Sequence, residues 1–385
     1  MTRTEPIGLL ALAGFASGSG MRLLDPLLPG VAADLEVSVA RTSALIAAFM
    51  LPYGLGQVIL GPLGDRMGKL RVVCTALLLY GACVLACAAA PSLATLVALR
   101  AASGLFAGAV IPLLLAHLGD VVPYEERQGT IGRFLTGMVM AQMLTGPASG
   151  VIGEYGGWRS SFLVLGALAV GIGALLLRHF GRLLWRAPIR SAPRTQGLVA
   201  YLALLSRPAG RWLLICAFFD GLCLFGGAFP FVGAFVIQEF GLRAGFAGMV
   251  VAFFGLGAFL YTRFARGLVR RFGERRLLFG GGLGLAVFLG ALAAAPNWQA
   301  AAAAQFVMGL LFYMFHGVLQ ARATEALPEA RGTAVSAFAL ALFLGQTVGS
   351  IAFAAVLSAI GYREGFAAAA IGVALLSVYA RRGLR

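Results

Sequence analysis

Residues 61–71 read GPLGDRMGKLR. Here Gly61, Asp65, Arg66, Gly68 and Arg71 set charges and helix breakers between two long apolar runs. From Arg41 to Leu60 nothing is charged after Arg41, and from Val72 to Ala90 nothing is charged at all. In hydrocarbon a run of that length must satisfy its own backbone hydrogen bonds, so both are predicted as membrane-crossing helices. The charged link between them then belongs in water. Gly61, Gly64 and Gly68 would let the turn be tight.

The rest of the chain repeats this alternation. Of 385 residues, 60% are hydrophobic and only 12% charged, against roughly 25% charged in soluble proteins. Twelve apolar segments can be laid out, at about 7–28, 42–62, 72–90, 93–117, 130–152, 158–178, 211–235, 245–264, 277–295, 298–321, 333–357 and 365–380. Each is long enough to span roughly 30 Å of hydrocarbon. Cys74, Cys83, Cys87, Cys216 and Cys223 all lie inside apolar runs and read as packing residues rather than disulfide or metal partners. Walker motifs, paired catalytic carboxylates, metal-spaced His/Cys sets and nucleophile elbows do not occur, which argues against an enzyme, a cofactor or ATP-driven transport.

The second half repeats the first. At an offset of 205, Gly68 falls on Gly273, Pro91 on Pro296, Gly104 on Gly309 and Asp120 on Glu325. After one deletion, GWRSSF at 157–162 meets GYREGF at 361–366. The expected organisation is therefore a six-helix bundle over 1–180, a basic linker over 181–210 and a second six-helix bundle over 211–385. The linker carries Arg182, Arg186, Arg190, Arg194 and Arg207 with three prolines, and suits an anionic headgroup surface. In the second copy of the charged hairpin Arg270 stands where the first has Asp65, so the two copies are not equivalent.

With the amino terminus inside, 24 basic residues face the cytoplasm and four face outward. That asymmetry predicts a multi-pass protein with both termini cytoplasmic. It also accounts for the net charge of +15 without nucleic acid.

In GPLGDRMGKLR, Gly61, Asp65, Arg66 and Gly68, followed by Lys69 and Arg71, fit G-x-x-x-D-R-x-G with trailing basic residues. The stretch resembles the loop between helices 2 and 3 of the major facilitator superfamily; Leu70 stands where a further basic residue is common. RAASGLFAG from Arg100, with Gly104 and Gly108, resembles the helix 4 motif R-x-x-x-G-x-x-x-G of drug/proton antiporters. Gly146, Pro147 and Gly150 match the core of the antiporter motif G-x-x-x-G-P-x-x-G-G, while Gln142 and Val151 replace its first and last glycines. DVVPYEER, from Asp120 to Arg127, resembles the family's next cytoplasmic loop, where Asp120 would meet Arg66 or Arg71 in a gate. The resemblance implies an all-α protein of two pseudo-symmetric six-helix bundles. It implies proton-driven efflux of drug-like or metabolite molecules by a monomer in a bacterial-type cytoplasmic (inner) membrane. Its partners would be a small-molecule substrate, protons and the lipid bilayer.

Ionisable groups within the spans mark candidate substrate or proton sites, because each is costly in hydrocarbon. Arg22 and Asp25, three residues apart, are expected on one face of the first helix, at a depth similar to that of Arg100 in the fourth. They read as a coupling site in which Asp25 carries the proton and Arg100 sets its release, or as a structural ion pair. Asp220 reads as a lone acid near the midplane of the seventh helix, suited to a proton or to a cationic substrate. His316 titrates in a useful range but also suits a satisfied core position. Tyr53, Gln57, Gln142 and Gln346 are polar groups able to line a cavity or bind helices together. Rival readings are export of a sugar, siderophore or other metabolite, proton symport, and a non-transporting membrane receptor of the same fold. LDPLLP at 24–29 and the glycine–proline motif favour export.

Overall fold

A computed structural model describes residues 6–181, 184, 195–327 and 331–383, and its regular structure is entirely helical. The helices are α1 (Ile7–Arg22), α2 (Leu28–Asp34), α3 (Val39–Thr42), α4 (Ala44–Met67), α5 (Lys69–Ala88), α6 (Leu93–Val121), α7 (Tyr124–Gly156) and α8 (Trp158–Phe180). The linker contributes α9 (Thr195–Ser206); then come α10 (Pro208–Asp220), a π-helical segment (Gly221–Ala228) and a short 3-10 turn (Phe229–Phe231). The chain continues with α11 (Val232–Phe240), α12 (Ala244–Ala293), α13 (Trp298–Ala323), α14 (Arg331–Ala359) and α15 (Tyr362–Gly383). Among the described residues, ten stretches are long and apolar enough to cross a bilayer. The two remaining spans fall short for visible reasons. The first is broken after Arg22, and the apolar character of α7 is diluted along its span by Gln142, Pro147 and several threonines and glycines.

The charged hairpin is tighter than its sequence suggests. No loop separates the helices: α4 runs to Met67 and α5 starts at Lys69, so Gly68 alone makes the turn. Its φ of 97° lies where side chains are strained, which explains the glycine. Gly64 does not turn at all; a Cβ there would meet Leu113 Cδ2 at 2.4 Å, so it is a packing residue. The second copy is built alike. Gly273, with φ 72° and ψ 157°, is the one non-helical residue inside α12, which is thus two spans.

The repeat extends to capping and to single hydrogen bonds. Ser92 caps α6 by accepting from Thr95 N, and Asn297 caps α13 by accepting from Ala300 N. Gly157 and Gly361 both hold positive φ. Two residues beyond them, Arg159 donates to Ala90 O at 3.3 Å and Arg363 donates to Ala295 O at 3.1 Å. Two like-folded six-helix halves result.

Close contacts divide the chain into two compact units. One comprises Met1–Leu23, Ala48–Thr145 and Tyr155–Ala192; the other comprises Leu24–Ala47, Gly146–Glu154 and Pro193–Arg385. In the first, α5 packs on α6 and α8. In the second, α12 packs on α13 and α15, and the π segment packs on α14. The second unit also draws in pieces of the first sequence half: the turn after α1, α2, α3 and the last turns of α7.

Part of the linker is ordered. In α9, Leu204 is fully buried against Leu327, Ala334 and Ala337, with Tyr201 packed at the edge. That segment is docked on protein rather than spread on headgroups. Arg182, Arg186, Arg190 and Arg194 lie outside the described residues.

Candidate functional site

In the first unit, α6 lies against α4 backbone to backbone. A Cβ on Gly104 would stand 2.3 Å from Phe49 O, and one on Gly108 2.2 Å from Tyr53 O. Gly56 returns the contact at 2.3 Å from Leu105 O. One turn before Gly104, Arg100 is 1% exposed. Its Nη2 donates to Gly20 O at 3.0 Å and its guanidinium lies 4.2 Å from the centre of the Phe49 ring. Such a cation is held by a carbonyl dipole and a π face. Arg22 Nε donates to Gln142 Oε1 at 2.7 Å, so the residue that departs from the antiporter glycine pattern fixes a buried guanidinium. Tyr80 and Thr145 tether α1 further, the first donating to Ala16 O and the second to Ser19 Oγ. Tyr53 is buried beside these groups and Gln57 is half-buried.

At the hairpin end of this unit Lys69 Nζ donates to Asp120 Oδ2 at 2.5 Å. The cation that meets Asp120 is therefore Lys69, not the expected Arg66 or Arg71. Arg71 Nε instead donates to Leu184 O at 2.7 Å, and Arg66 is half-buried. Gly61 and the side chains of Asp65 and Arg127 fall outside the described residues, although α4 and α7 run through those positions. In the second unit the corresponding pair has its signs reversed. Arg322 near the end of α13 pairs with Glu274, which stands 205 positions after Lys69, and also reaches Glu325 at 3.3 Å.

Asp25 does not share a helical face with Arg22, because α1 ends at Arg22 and Asp25 stands in the turn that follows. Pro26 is the cause: a proline disfavours helical backbone at the residue before it. Asp25 belongs to the second unit, is 2% exposed, and lies against α11, where a Cβ on Gly233 would meet Asp25 O at 2.4 Å.

Asp220 is not alone. Fully buried at the end of α10, its Oδ2 lies 2.6 Å from Nδ1 of His316 on α13. Oδ1 is buried with no hydrogen-bond partner among the described residues. The imidazole is stacked on Phe312 at 4.9 Å between centroids, meets Phe225 edge-on at 5.5 Å, and lies 5.8 Å from Phe338. The π segment begins directly after Asp220, and π turns frequently occur at functional positions. It is pinned to α14 by backbone contact: a Cβ on Gly226 would stand 1.9 Å from the carbonyl oxygen of the buried Gln346. Sequence reading singled out both Asp220 and His316 but could not pair residues 96 positions apart. The phenylalanines around them escaped it too, because they are indistinguishable from lipid-facing ones.

Gly146, Pro147 and Gly150 pack on the first turns of α12. A Cβ on Gly150 would stand 2.4 Å from Ala244 O, and one on Gly248 2.4 Å from Gly146 O. Glu154 closes this contact. Its Oε2 accepts from Gly245 N at 3.1 Å and its Oε1 pairs with Arg243.

Membrane-length helices in two like halves, with ionisable side chains buried deep in both, define a polytopic membrane transporter. The chain belongs to the Major Facilitator Superfamily, which its sequence matches over residues 10–260 and 213–384. It is 28% identical over 340 residues to the uncharacterized MFS-type transporter YceJ of Bacillus subtilis (strain 168), covering 87% of this chain and 85% of that one. Identity to YwfA of the same organism, also described as an uncharacterized MFS-type transporter, is 27% over 386 residues, with coverage of 96% and 90%. The fold is similar to that of a D-xylose–proton symporter (TM-score 0.75, 16% identity, 97% and 96% covered). It is also similar to that of a bacterial homologue of the human lysosomal transporter Spinster (TM-score 0.77, 15% identity, 99% and 97% covered). At those identities the likeness is one of fold.

Proposed function

We propose that the protein is a proton-coupled antiporter that exports drug-like organic cations by alternating access, with the Asp220–His316 pair as its exchange site. It acts as a monomer in a bacterial-type cytoplasmic membrane with both termini cytoplasmic. The observation that carries this reading is a fully buried carboxylate in contact with an imidazole, with one oxygen unpartnered among the described residues. With one proton held between Oδ2 and Nδ1 the pair is net neutral, the form that burial penalises least. Loss of that proton leaves a buried negative charge that needs a cation in its place. An organic cation would supply it, seated against Phe225, Phe312 and Phe338, whose rings favour cations. Proton and substrate then compete for one charge, and exchange follows. Among the described residues, the titratable groups near Asp220 are His316 from α13 and, from its own helix and the π segment, the Cys216 and Cys223 thiols. From α14 the approach is made by the neutral Gln346.

Inverted membrane vesicles with an acidic lumen, loaded from outside with the aromatic cation ethidium, test the reading. Uptake should collapse at least tenfold in Asp220→Asn, and in His316→Gln it should lose its dependence on the pH gradient. Undiminished pH-driven uptake by Asp220→Asn would overturn it. A second reading makes Asp25 the proton carrier; its burial favours it. In that case Asp25→Asn, and not Asp220→Asn, abolishes pH-driven uptake.

A further inference from the structure

In the second unit, α10, the π segment, α14 and α15 frame a groove of about 540 Å³. Of its sixteen lining residues only Cys223 and Tyr379 have a polar side-chain atom. A site that selects a solute sets a few convergent polar groups among apolar walls, and this groove offers none along most of its length. Its rim is exposed hydrocarbon: Phe219 is 44% and Leu375 67% accessible, on helices that cross the membrane.

Length and shape narrow the occupant. The groove follows α15 from Gly365 to Tyr379, fourteen residues or about 21 Å of helix. A volume of about 540 Å³ spread over that length makes it a narrow groove. A helix of a second copy, about 10–12 Å across, does not enter such a slot. A single unbranched hydrocarbon chain does.

One end of the groove is cationic. Arg382 lies three residues beyond Tyr379 on α15, and Arg211 four residues before Ile215 on α10, so each continues a wall of the groove by one turn. Both are exposed. Between them the Trp212 indole lies against Gly383, its Nε1 buried with no acceptor among the described residues. Arg211 Nη1 donates to Leu205 O at 3.2 Å and to Ser206 O at 2.9 Å, which leaves its Nε and Nη2 for a ligand. Two cationic residues and an indole N–H thus border the mouth of a chain-wide apolar slot.

We propose that this groove holds one acyl chain of an anionic phospholipid from the adjoining leaflet. Its phosphate sits on Arg211 and Arg382 and accepts from Trp212 Nε1.

The test uses the full-length protein in nanodiscs containing a phosphatidylglycerol with a diazirine on its acyl chain, or the same chain on phosphatidylcholine. After irradiation, adducts are mapped by peptide mass spectrometry. Phosphatidylglycerol should label the stretches 211–223 and 365–379 at least fivefold more than phosphatidylcholine. Ala368→Phe fills the groove from an exposed position and should cut that labelling at least fivefold. Ala367→Phe, exposed on the same helix but outside the groove, should leave it unchanged. Arg211→Gln with Arg382→Gln should erase the headgroup preference while the protein stays folded. Equal labelling by the two lipids, or labelling indifferent to Ala368→Phe, overturns the proposal. So does loss of labelling on adding ethidium, which would assign the groove to substrate.

Discussion

Replacing Gly104 with alanine tests the backbone contact between α4 and α6. The new Cβ would lie 2.3 Å from Phe49 O, whereas ordinary contact begins at 3.4 Å, so the helices must part by about 1.1 Å. Arg100, one turn earlier on α6, moves with it. If that shift falls on the 3.0 Å bond from Arg100 to Gly20 O, the separation becomes about 4 Å, beyond hydrogen-bonding range. Overpacking costs about 1–3 kcal/mol, and a buried hydrogen bond from a charged donor about 1.5–3 kcal/mol more. Alanine's better helix propensity returns about 1 kcal/mol, leaving a net loss of about 1.5–5 kcal/mol. Gly119→Ala on the same helix is the control, since nothing lies within 4 Å of its Cβ position; it should gain up to about 1 kcal/mol. Thermal unfolding in detergent, followed by circular dichroism, should therefore move in opposite directions for the two variants. The reasoning fails if Gly104→Ala melts at or above Gly119→Ala.

Glu154→Ala removes both the acceptor for Gly245 N and the partner of Arg243, and should destabilise the first turn of α12 by about 0.5–2 kcal/mol. Glu154→Gln keeps an acceptor and should cost less than about 1 kcal/mol, because the Arg243 side chain is 65% exposed. Amide hydrogen exchange at 244–248 checks this; equal rates in the two variants mean that the cap contributes nothing. For topology, single cysteines at Tyr155 and Ala209 on a cysteine-free background should label oppositely with an impermeant maleimide in intact cells. Labelling at 209 from outside refutes a cytoplasmic linker.

The fold was legible because it is written twice. Two glycines 205 positions apart both adopt a positive φ, and Arg159 and Arg363 reach carbonyls 205 positions apart. Local breaks were less legible, because a hydropathy run averages over them. The run at 7–28 contained Pro26, the residue that ends α1 at Arg22, and the π segment after Asp220 carries no sequence signature. Charge ends an apolar run, so the sequence suggests a loop at the charged hairpin, yet charge does not end a helix. Only Gly68 does so here. The site was half legible. Cost in hydrocarbon picked out Asp220 and Arg100, but their partners depend on which helices face each other. Arg100 is held against the Gly20 carbonyl and the Phe49 ring. Neither is distinctive in a sequence with 28 phenylalanines.

The sign-reversed pairs Lys69–Asp120 and Glu274–Arg322 have a consequence for how the chain is made. Each joins residues of one half only, closing sequence separations of 51 and 48. Between the emergence of Asp120 and that of Arg322, which completes the second pair, lie 202 residues, about 10–40 s of synthesis at roughly 5–20 residues per second. During that interval the first bundle already holds both members of its own pair and needs nothing from the unmade half to close. The ribosome can therefore deliver the protein as two successive self-latching products rather than as one late assembly.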